Sequence, residues 1–343
     1  MESNPDFLIL PLQPGWQGEA KRLYDAAFAR ADLPYGRQLP AEFLTRRVFG
    51  SLLWSSDCSR VITTPQGEWL GLAVANRRKN PDTPETDRLW LQLFCIAPAW
   101  QRQGLGRLLL QHLLSIAAAE AKRGLATSLQ WAGMWPGIPV GLEAMLSFCA
   151  HTGASLNAGE VYLQKNLQEP WPETDEAVQR AALAREGLRV TPYEPHHRAG
   201  LVALLRTHFS VGWQQETLSR IDPTCEPFNG YGLAATLDPT TPGRGIWVLA
   251  CREEVVGFCL IQQAEGTGST AFFGPIGLLP TWRGRGLGSH LMREAVRYTQ
   301  KSGVRTLGLW TSVSIAEGFY IPLGWRRFSA TLHAEWLLRP AFP

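Results

Sequence analysis

The chain has 343 residues, 45% of them hydrophobic, and a formal net charge of +3 at pH 7. That length suits about two domains, each with its own core, while the small charge and the lack of a long Lys/Arg tract argue against nucleic acid. No uncharged run approaches a membrane span, the polar start at residues 1–6 has no signal-peptide pattern, and six cysteines without a C-x-x-C pair read as free thiols in a reducing cytoplasm.

In chain order, residues 7–12 read as an opening strand, about 16–31 as a helix, and about 59–64 and 68–78 as two more strands. An apolar run over 89–96 predicts a fourth strand, leading into Ile96-Ala97-Pro98-Ala99-Trp100-Gln101-Arg102-Gln103-Gly104-Leu105-Gly106. Leu105, Leu108, Leu109, Leu113 and Ile116 then follow helical spacing, with Gly124 expected as the helix C-cap and a strand over 127–131. Residues 168–187, charged and carrying Pro170 and Pro172, read as a linker with a short helix over 174–186. The expected domains are therefore 1–167 and 188–343.

The order then repeats. Residues 188–193 read as a strand, about 196–209 as a helix, and 245–252 and 255–263 as strands joined at a Glu253-Glu254 tip. A strand over 270–278 leads into Leu278-Leu279-Pro280-Thr281-Trp282-Arg283-Gly284-Arg285-Gly286-Leu287-Gly288. Leu287, Leu291, Ala295 and Tyr298 mark the following helix, which ends near Gly303, and 306–310 is the next strand. The copies at Trp100 and Trp282 are a domain-sized offset apart, so the repeat is a duplicated domain and not a solenoid. Strands with helices between them imply an α/β or α+β layer fold in each half.

Gln101-x-x-Gly104-x-Gly106 and Arg283-x-x-Gly286-x-Gly288 each stand between a strand and a helix. A helix N-terminus has unpaired N–H groups and a partial positive charge, and glycine lets the backbone approach a bulky phosphate. The expectation is a pyrophosphate-containing cofactor, with Arg283 or Gln101 adding a side-chain contact. The ATP-type G-x-x-x-x-G-K-[ST] is absent, and so is the third glycine of the dinucleotide fingerprint.

These residues resemble the Gcn5-related N-acetyltransferase (GNAT) superfamily, whose signature is [RQ]-x-x-G-x-[GA] after a bulged fourth strand. The resemblance covers nearly the whole chain as two tandem domains. It implies, per copy, an α/β (α+β) fold: a mixed, mainly antiparallel sheet flanked by helices and splayed after strand four. It also implies that the pyrophosphate of acetyl-CoA is held by Gln101, Arg102, Gln103, Gly104, Leu105, Gly106 and Arg107 in the first copy. In the second these are Arg283, Gly284, Arg285, Gly286, Leu287, Gly288 and Ser289. Phe94, Cys95 and Ile96, and likewise Ile276, Gly277 and Leu278, are the strand residues implied to face the pantetheine and thioester.

The family's second signature, roughly A-x-x-[LF]-Y-x-x-x-G-[FW], matches Ala316 to Trp325. The resemblance makes Tyr320 the acid that protonates the departing CoA thiolate, a task for which a phenol suffices. The usual Asn position is Val313, so its capping contact is expected to be either absent or replaced, with Ser312 or Ser314 as substitutes. In the first copy the segment is Leu146-Ser147-Phe148-Cys149-Ala150-His151-Thr152-Gly153. Cys149 takes the tyrosine's place, so this copy is expected to bind CoA and to have lost the acid. The turn-rich insert Trp135-Pro136-Gly137-Ile138-Pro139 resembles one in a subset of bacterial tandem acetyltransferases, some acting on amino sugars. Candidate general bases are Glu265, Asp222, Glu226, His208 and Glu335 in the second copy, and Asp87 and Glu85 in the first. Trp131, Trp135, Trp310 and Trp325 suit either stacking on a sugar or aromatic amine or core packing. No residues have metal-ligand spacing, so no metal is expected.

The expected activity is N-acetyl transfer from acetyl-CoA to a primary amine of a small molecule, with an amino sugar among the options. An acyl-CoA-binding module, or a transferase of another acyl group, stays open. A cytoplasmic monomer or homodimer is expected.

Overall fold

The computed structural model describes residues 7–29, 44–50, 53–78, 86–127, 136–172, 176–221, 245–263, 269–301 and 303–338. The first copy runs β1 (Leu8–Pro11), α1 (Gln17–Phe28), β2 (Arg60–Thr63), β3 (Trp69–Asn76), β4 (Arg88–Ile96), α2 (Leu105–Ala119), β5 (Gly124–Thr127), β6 (Ile138–Pro139), α3 (Glu143–His151) and β7 (Ser155–Asn166). The second runs α4 (Glu176–Arg185), β8 (Leu188–Pro192), α5 (Arg198–His208), α6 (Val211–Leu218), β9 (Ile246–Cys251), β10 (Glu254–Gln263), β11 (Thr270–Leu278), α7 (Leu287–Gln300), β12 (Thr306–Thr311) and β13 (Arg326–Leu337).

The chain packs as two compact units whose members are not contiguous in sequence. One contains Met1–Glu160 and Ser329–Pro343; the other contains Val161–Asn229 and Leu233–Phe328. In the N-terminal unit β1 to β4 form an antiparallel meander, and β5 lies parallel to β4. The sheet is then continued by the chain's last strand, where Glu335, Trp336 and Leu337 of β13 pair with Ala126, Leu125 and Gly124. The C-terminal unit repeats the pattern with β8 to β11 antiparallel and β12 parallel to β11. Here the sixth strand is β7, which lies in the first half of the sequence: Val161 to Asn166 pair with Thr311 to Thr306.

Strand four bulges in both units. Val74 pairs with Leu93 but Ala75 with Leu91, so Gln92 is the extra residue in β4. Leu89, Leu91, Leu93 and Cys95 are the buried residues of β4. The bulge divides them: Leu89 and Leu91 enter the core under α2, and Leu93 and Cys95 the core under α1. In β11 the shift lies between Phe273 and Ile276, across Gly274-Pro275. In the C-terminal unit the parallel pairing of strands four and five stops at the same point, at Phe272–Gly308, although β11 runs on to Leu278 and β12 to Thr311, which leaves a slot between them. In the N-terminal unit the pairing extends to Leu91–Thr127, where the described part of β5 ends.

Two expectations need correction. Gly124 does not cap α2; Glu120 and Ala121 end it, with Ala121 at φ 53°. Gly124 opens β5 at φ 153°, and a Cβ there would overlap the Trp336 carbonyl oxygen, so glycine is required for β13 to pair. The hairpin tip also shifts by one residue, to Arg252 (φ 54°) and Glu253, since Glu254 already pairs with Cys251. Trp131 and most of the strand expected at 127–131 lie outside the described residues.

Gly124→Ala should therefore unfold the N-terminal unit at lower temperature than the control Gly303→Ala. At Gly303 a Cβ meets nothing within 4 Å and costs only left-handed backbone strain, about 1–2 kcal/mol. Circular dichroism melts of the two variants check the ranking.

Candidate active site

The two glycine loops are built alike. A 3-10 turn, Pro98–Trp100 or Pro280–Trp282, follows strand four, and the helix begins at Leu105 or Leu287. Arg102 (φ 64°) and Gly104 (φ 87°) match Gly284 and Gly286 (both φ 73°). Successive left-handed residues turn backbone N–H groups toward a common concavity. The first intrahelical bonds run from Leu108 N to Gly104 O at 3.0 Å and from His290 N to Gly286 O at 3.1 Å. The N–H groups of 105–107 and 287–289 thus stand at the positive helix end without intrahelical acceptors. Such a loop can hold a phosphate.

Gln101 Nε2 donates to Ile96 O at 3.0 Å, and Arg283 Nε donates to Leu278 O at 3.1 Å. Both side chains brace the loop onto the end of its strand. Arg283 has further guanidinium N–H groups to offer an anion, whereas Gln101 uses its amide in the brace. Arg285 is engaged elsewhere, donating to Glu186 at 3.0 Å and lying over Trp282.

Below each loop an aromatic ring fills the space that a side chain on the helix's second residue would occupy. A Cβ on Gly106 would lie 3.3 Å from Phe148 Cε2, and one on Gly288 would lie 3.4 Å from Phe319 Cε2. Ile96 and Leu278 flank the same spots at 3.8 and 3.9 Å. Phe148 therefore corresponds to Phe319, and Cys149 to Tyr320. Phe148 also stacks on Phe94, with centroids 5.4 Å apart.

In the N-terminal unit these elements enclose a cavity of about 620 Å³. Phe94, Cys95, Ile96, Gln101, Arg102, Gly104, Gly106 and Arg107 reach it. Gln103 does not, because its amide donates to Ala99 O at 2.9 Å, and Leu105 is buried in the core beneath α2. Cys149 is fully buried in that core, where burial pushes its thiol up to about 12. The thiol is not among the groups that line the cavity. Two residues that the sequence pattern does not single out do line it: Ser147, and His151, whose Nδ1 lies 2.7 Å from Ser147 O.

In the C-terminal unit Tyr320 ends the helical turn Ala316–Tyr320, which follows the short helix Val313–Ile315. Ser312 Oγ accepts from Ile315 N at 3.4 Å and so replaces the missing Asn as the helix cap. The Tyr320 ring stands edge-on to Phe319, Trp325 and Phe273, with centroids 4.9, 5.5 and 6.4 Å away. Its hydroxyl makes no hydrogen bond among the described residues. Burial raises its pKa, and the neighbouring Cys259 adds to the rise. The phenol is thus protonated at neutral pH and beyond. Gly277 carries no side chain because the Phe209 ring occupies that place, so of the three strand residues Ile276 and Leu278 offer side chains.

The candidate bases are scattered. Glu335 belongs to the N-terminal unit, not the C-terminal one: it lies on β13 and is ion-paired with Arg88. Asp87 is an exposed partner of Arg88 and Arg123, each at 3.3 Å, and His208 is exposed at the end of α5. Asp222, Glu226, Glu265, Glu85 and Trp135 lie outside the described residues. Trp310 and Trp325 are buried in the core. A buried carboxylate does occur at Glu216, on α6, where Gln262 Nε2 donates to it at 2.7 Å. Gln262 pairs with Phe272, beside the bulge. The sequence signal for α6 is weak, which hides Glu216. Among the described residues no group of His, Cys, Asp and Glu is arranged to hold a metal, and no helix is long and apolar enough to cross a membrane.

A model of the acetyltransferase (GNAT) family matches residues 20–133 and 201–325. The chain belongs to that family and carries its fold twice, in tandem. Family members transfer acyl groups from acyl-CoA, so the protein is classed with acyltransferases. Similar solved structures agree in fold. The GCN5-related glucosamine N-acetyltransferase region of a fungal multi-domain GH3 β-N-acetylglucosaminidase aligns at TM-score 0.73 and 15% identity, over 96% of this chain and 38% of that one. This chain thus spans well under half of that protein. A GCN5-related N-acetyltransferase from Sphaerobacter thermophilus aligns at TM-score 0.64 and 17% identity, over 100% and 98% of the two chains. A tandem GNAT protein from the clavulanic acid biosynthesis pathway aligns at 0.62 and 15%, over 98% and 100%. No curated protein sequence matches the chain.

Two complete loops should give calorimetry with CoA a stoichiometry near two per chain. Gly104→Glu and Gly286→Glu should each remove one site. A wild-type value of one, lost only in Gly286→Glu, would show that the first loop does not bind.

Proposed function

We propose that the protein is an acetyl-CoA-dependent N-acetyltransferase acting on a primary amine of a small molecule, and that turnover belongs to the C-terminal unit. The observation that carries this reading is the asymmetry at one aligned position. A protonated Tyr320, without a hydrogen bond among the described residues, follows the phenylalanine that packs under the loop, whereas the N-terminal unit has a thiol buried in its core.

The residues present fit CoA. The N–H groups of 287–289 and the guanidinium of Arg283 would hold its pyrophosphate, and the absence of side chains at Gly284 and Gly286 lets the backbone come close. The slot beyond Phe272 and Gly308 would take the pantetheine. Acetyl-CoA supplies the acetyl group as a thioester, which the amine attacks directly. Backbone N–H groups of β11 beyond the bulge polarise the carbonyl. Tyr320 would give its hydroxyl proton to the leaving sulfur; the proton that the attacking amine sheds passes to solvent, and solvent restores the phenol for the next turnover. Direct attack needs no covalent enzyme intermediate, so no Ser/His or Cys/His pair is required. The N-terminal unit binds CoA with its own loop and cavity and lacks the phenol. An amino sugar is the acceptor class to test first, on the insert near Pro136–Pro139 and the glucosamine N-acetyltransferase region of the structurally similar fungal protein.

Acetyl-CoA consumption with a panel of amines, amino sugars included, tests the assignment. Tyr320→Phe keeps the ring and its packing, so it should fold and bind acetyl-CoA yet lose roughly 10²–10⁴-fold in kcat. Cys149→Ala should change turnover little. A fully active Tyr320→Phe beside a dead Gly104→Glu would move the reaction to the N-terminal unit.

Two further outcomes are expected. Because the Tyr320 pKa is raised, kcat should show no alkaline loss below about pH 10, the ordinary tyrosine value. Arg283→Ala removes a contact present equally in ground and transition states, so KM for acetyl-CoA should rise while kcat stays nearly constant.

A further inference from the structure

A buried cation without an anionic partner is costly, because desolvation removes its water and nothing replaces it. Among the described residues the C-terminal unit contains two. Lys165, on β7, is 1% exposed, and its Nζ has no hydrogen-bond partner among them. Arg293, on α7, is 7% exposed, and its Nε has none there either. Neither forms an ion pair among the described residues. Both lie against one indole: Lys165 Nζ is 4.2 Å from the Trp171 ring centre, and the Arg293 guanidinium carbon is 5.9 Å from it.

The surroundings do not neutralise them. Glu169 is the acid that Lys165 senses, but it is paired with Arg326 at 3.1 Å. Burial lowers the Lys165 pKa, and Arg326 and Arg293 push it the same way. Gly324 (φ 82°) adjoins the ammonium, and a Cβ there would come within 2.9 Å of Nζ. Any larger residue would crowd the space in front of the charge. The next residue, Trp325, is 2% exposed, and its Nε1 also lacks an acceptor.

We propose that Lys165 and Arg293 bind a small halide-sized anion, chloride, beside Trp171 and Gly324. A chloride ion accepts from donors at any angle and needs no donor-to-acceptor pattern, which suits an ammonium and a guanidinium edge. Its small size suits a site closed by Gly324 and Trp171. The anion would tie β7 and α7 to the turn that starts β13. Trp325 in that turn packs its ring against Tyr320 at 5.5 Å, so occupancy would also steady the aromatic wall around the proposed acid.

The test needs no activity. Thermal unfolding of the full chain is followed in sodium chloride and in sodium gluconate at equal ionic strength. Chloride should raise Tm by a few degrees, on the order of 2–4 °C, with saturation, and gluconate should not. Lys165→Met keeps most of the side-chain volume and removes the charge, so it should fold and lose the chloride response. Arg293→Met should weaken it. In crystals soaked in bromide, an anomalous peak is expected between Lys165 and Arg293. Equal Tm in the two salts, an undiminished chloride response in Lys165→Met, or bromide absent from that position would each overturn the proposal.

Discussion

The bulge in strand four is the constraint on which the rest of each unit depends. Two parallel strands that stayed hydrogen-bonded to their ends would leave no room for a ligand between them. The bulge lies at Gln92 in β4 and at Gly274-Pro275 in β11, and in β11 that pairing ends beside it. It also sends the next side chains of β4 to the opposite layer, so that α1 and α2 each receive part of one apolar run. With the strands apart, the helix that follows points its N-terminus at the opening, and the loop glycines keep that end uncovered. The ring of Phe148 or Phe319 then fits beneath the glycine at the helix's second position. Slot, anion-binding end and aromatic floor are consequences of one irregularity in one strand.

The duplication preserved this scaffold more faithfully than it preserved the chemistry. Loop dihedrals, strand-end braces and the phenylalanine under the helix recur in both units with nearly the same geometry. The residue after that phenylalanine does not. A cysteine turned into the apolar core contributes packing, and its raised pKa follows from the same burial. A tyrosine at the matching place is larger, and its ring meets Phe273 and Trp325. Loop geometry and the identity of this side chain are thus separable in this fold, since one resides in backbone and the other in a single residue.

Much of this was legible in the sequence because it rests on local rules. The glycine loops, the strand-to-helix order, the repeat and the second signature all follow from residue types at short spacing. What was not legible depends on contacts distant in sequence. The strands at 155–166 and 326–337 were not read from the sequence, and no local pattern says which sheet each joins. As a result Glu335 reads as part of the second copy although it faces Arg88 in the N-terminal unit. Gly124 reads as a helix cap because caps favour glycine, and only the approach of Trp336 reveals its other reason. Glu216 and Lys165 were hidden for a similar cause: a charged residue in a short helix or strand normally reads as solvated.

The exchanged strands bear on how two diverged copies are retained together. A unit made only of residues from its own half of the sequence would lack the antiparallel neighbour of strand five. In the N-terminal unit that neighbour carries Ala334 and Trp336, both buried in the core with α2 and α3. The Trp336 indole also donates to Thr152 at 3.0 Å, just past the end of α3. In the C-terminal unit the neighbour carries Leu163 and Lys165, both buried and in register with Leu309 and Leu307. A copy with cysteine in the tyrosine's place still supplies a strand on which the other copy's sheet depends. Selection for the stability of the C-terminal unit therefore acts on β7, a segment of the half that lacks the tyrosine. That is a physical reason for a unit without the phenol to keep its fold, its loop and its cavity.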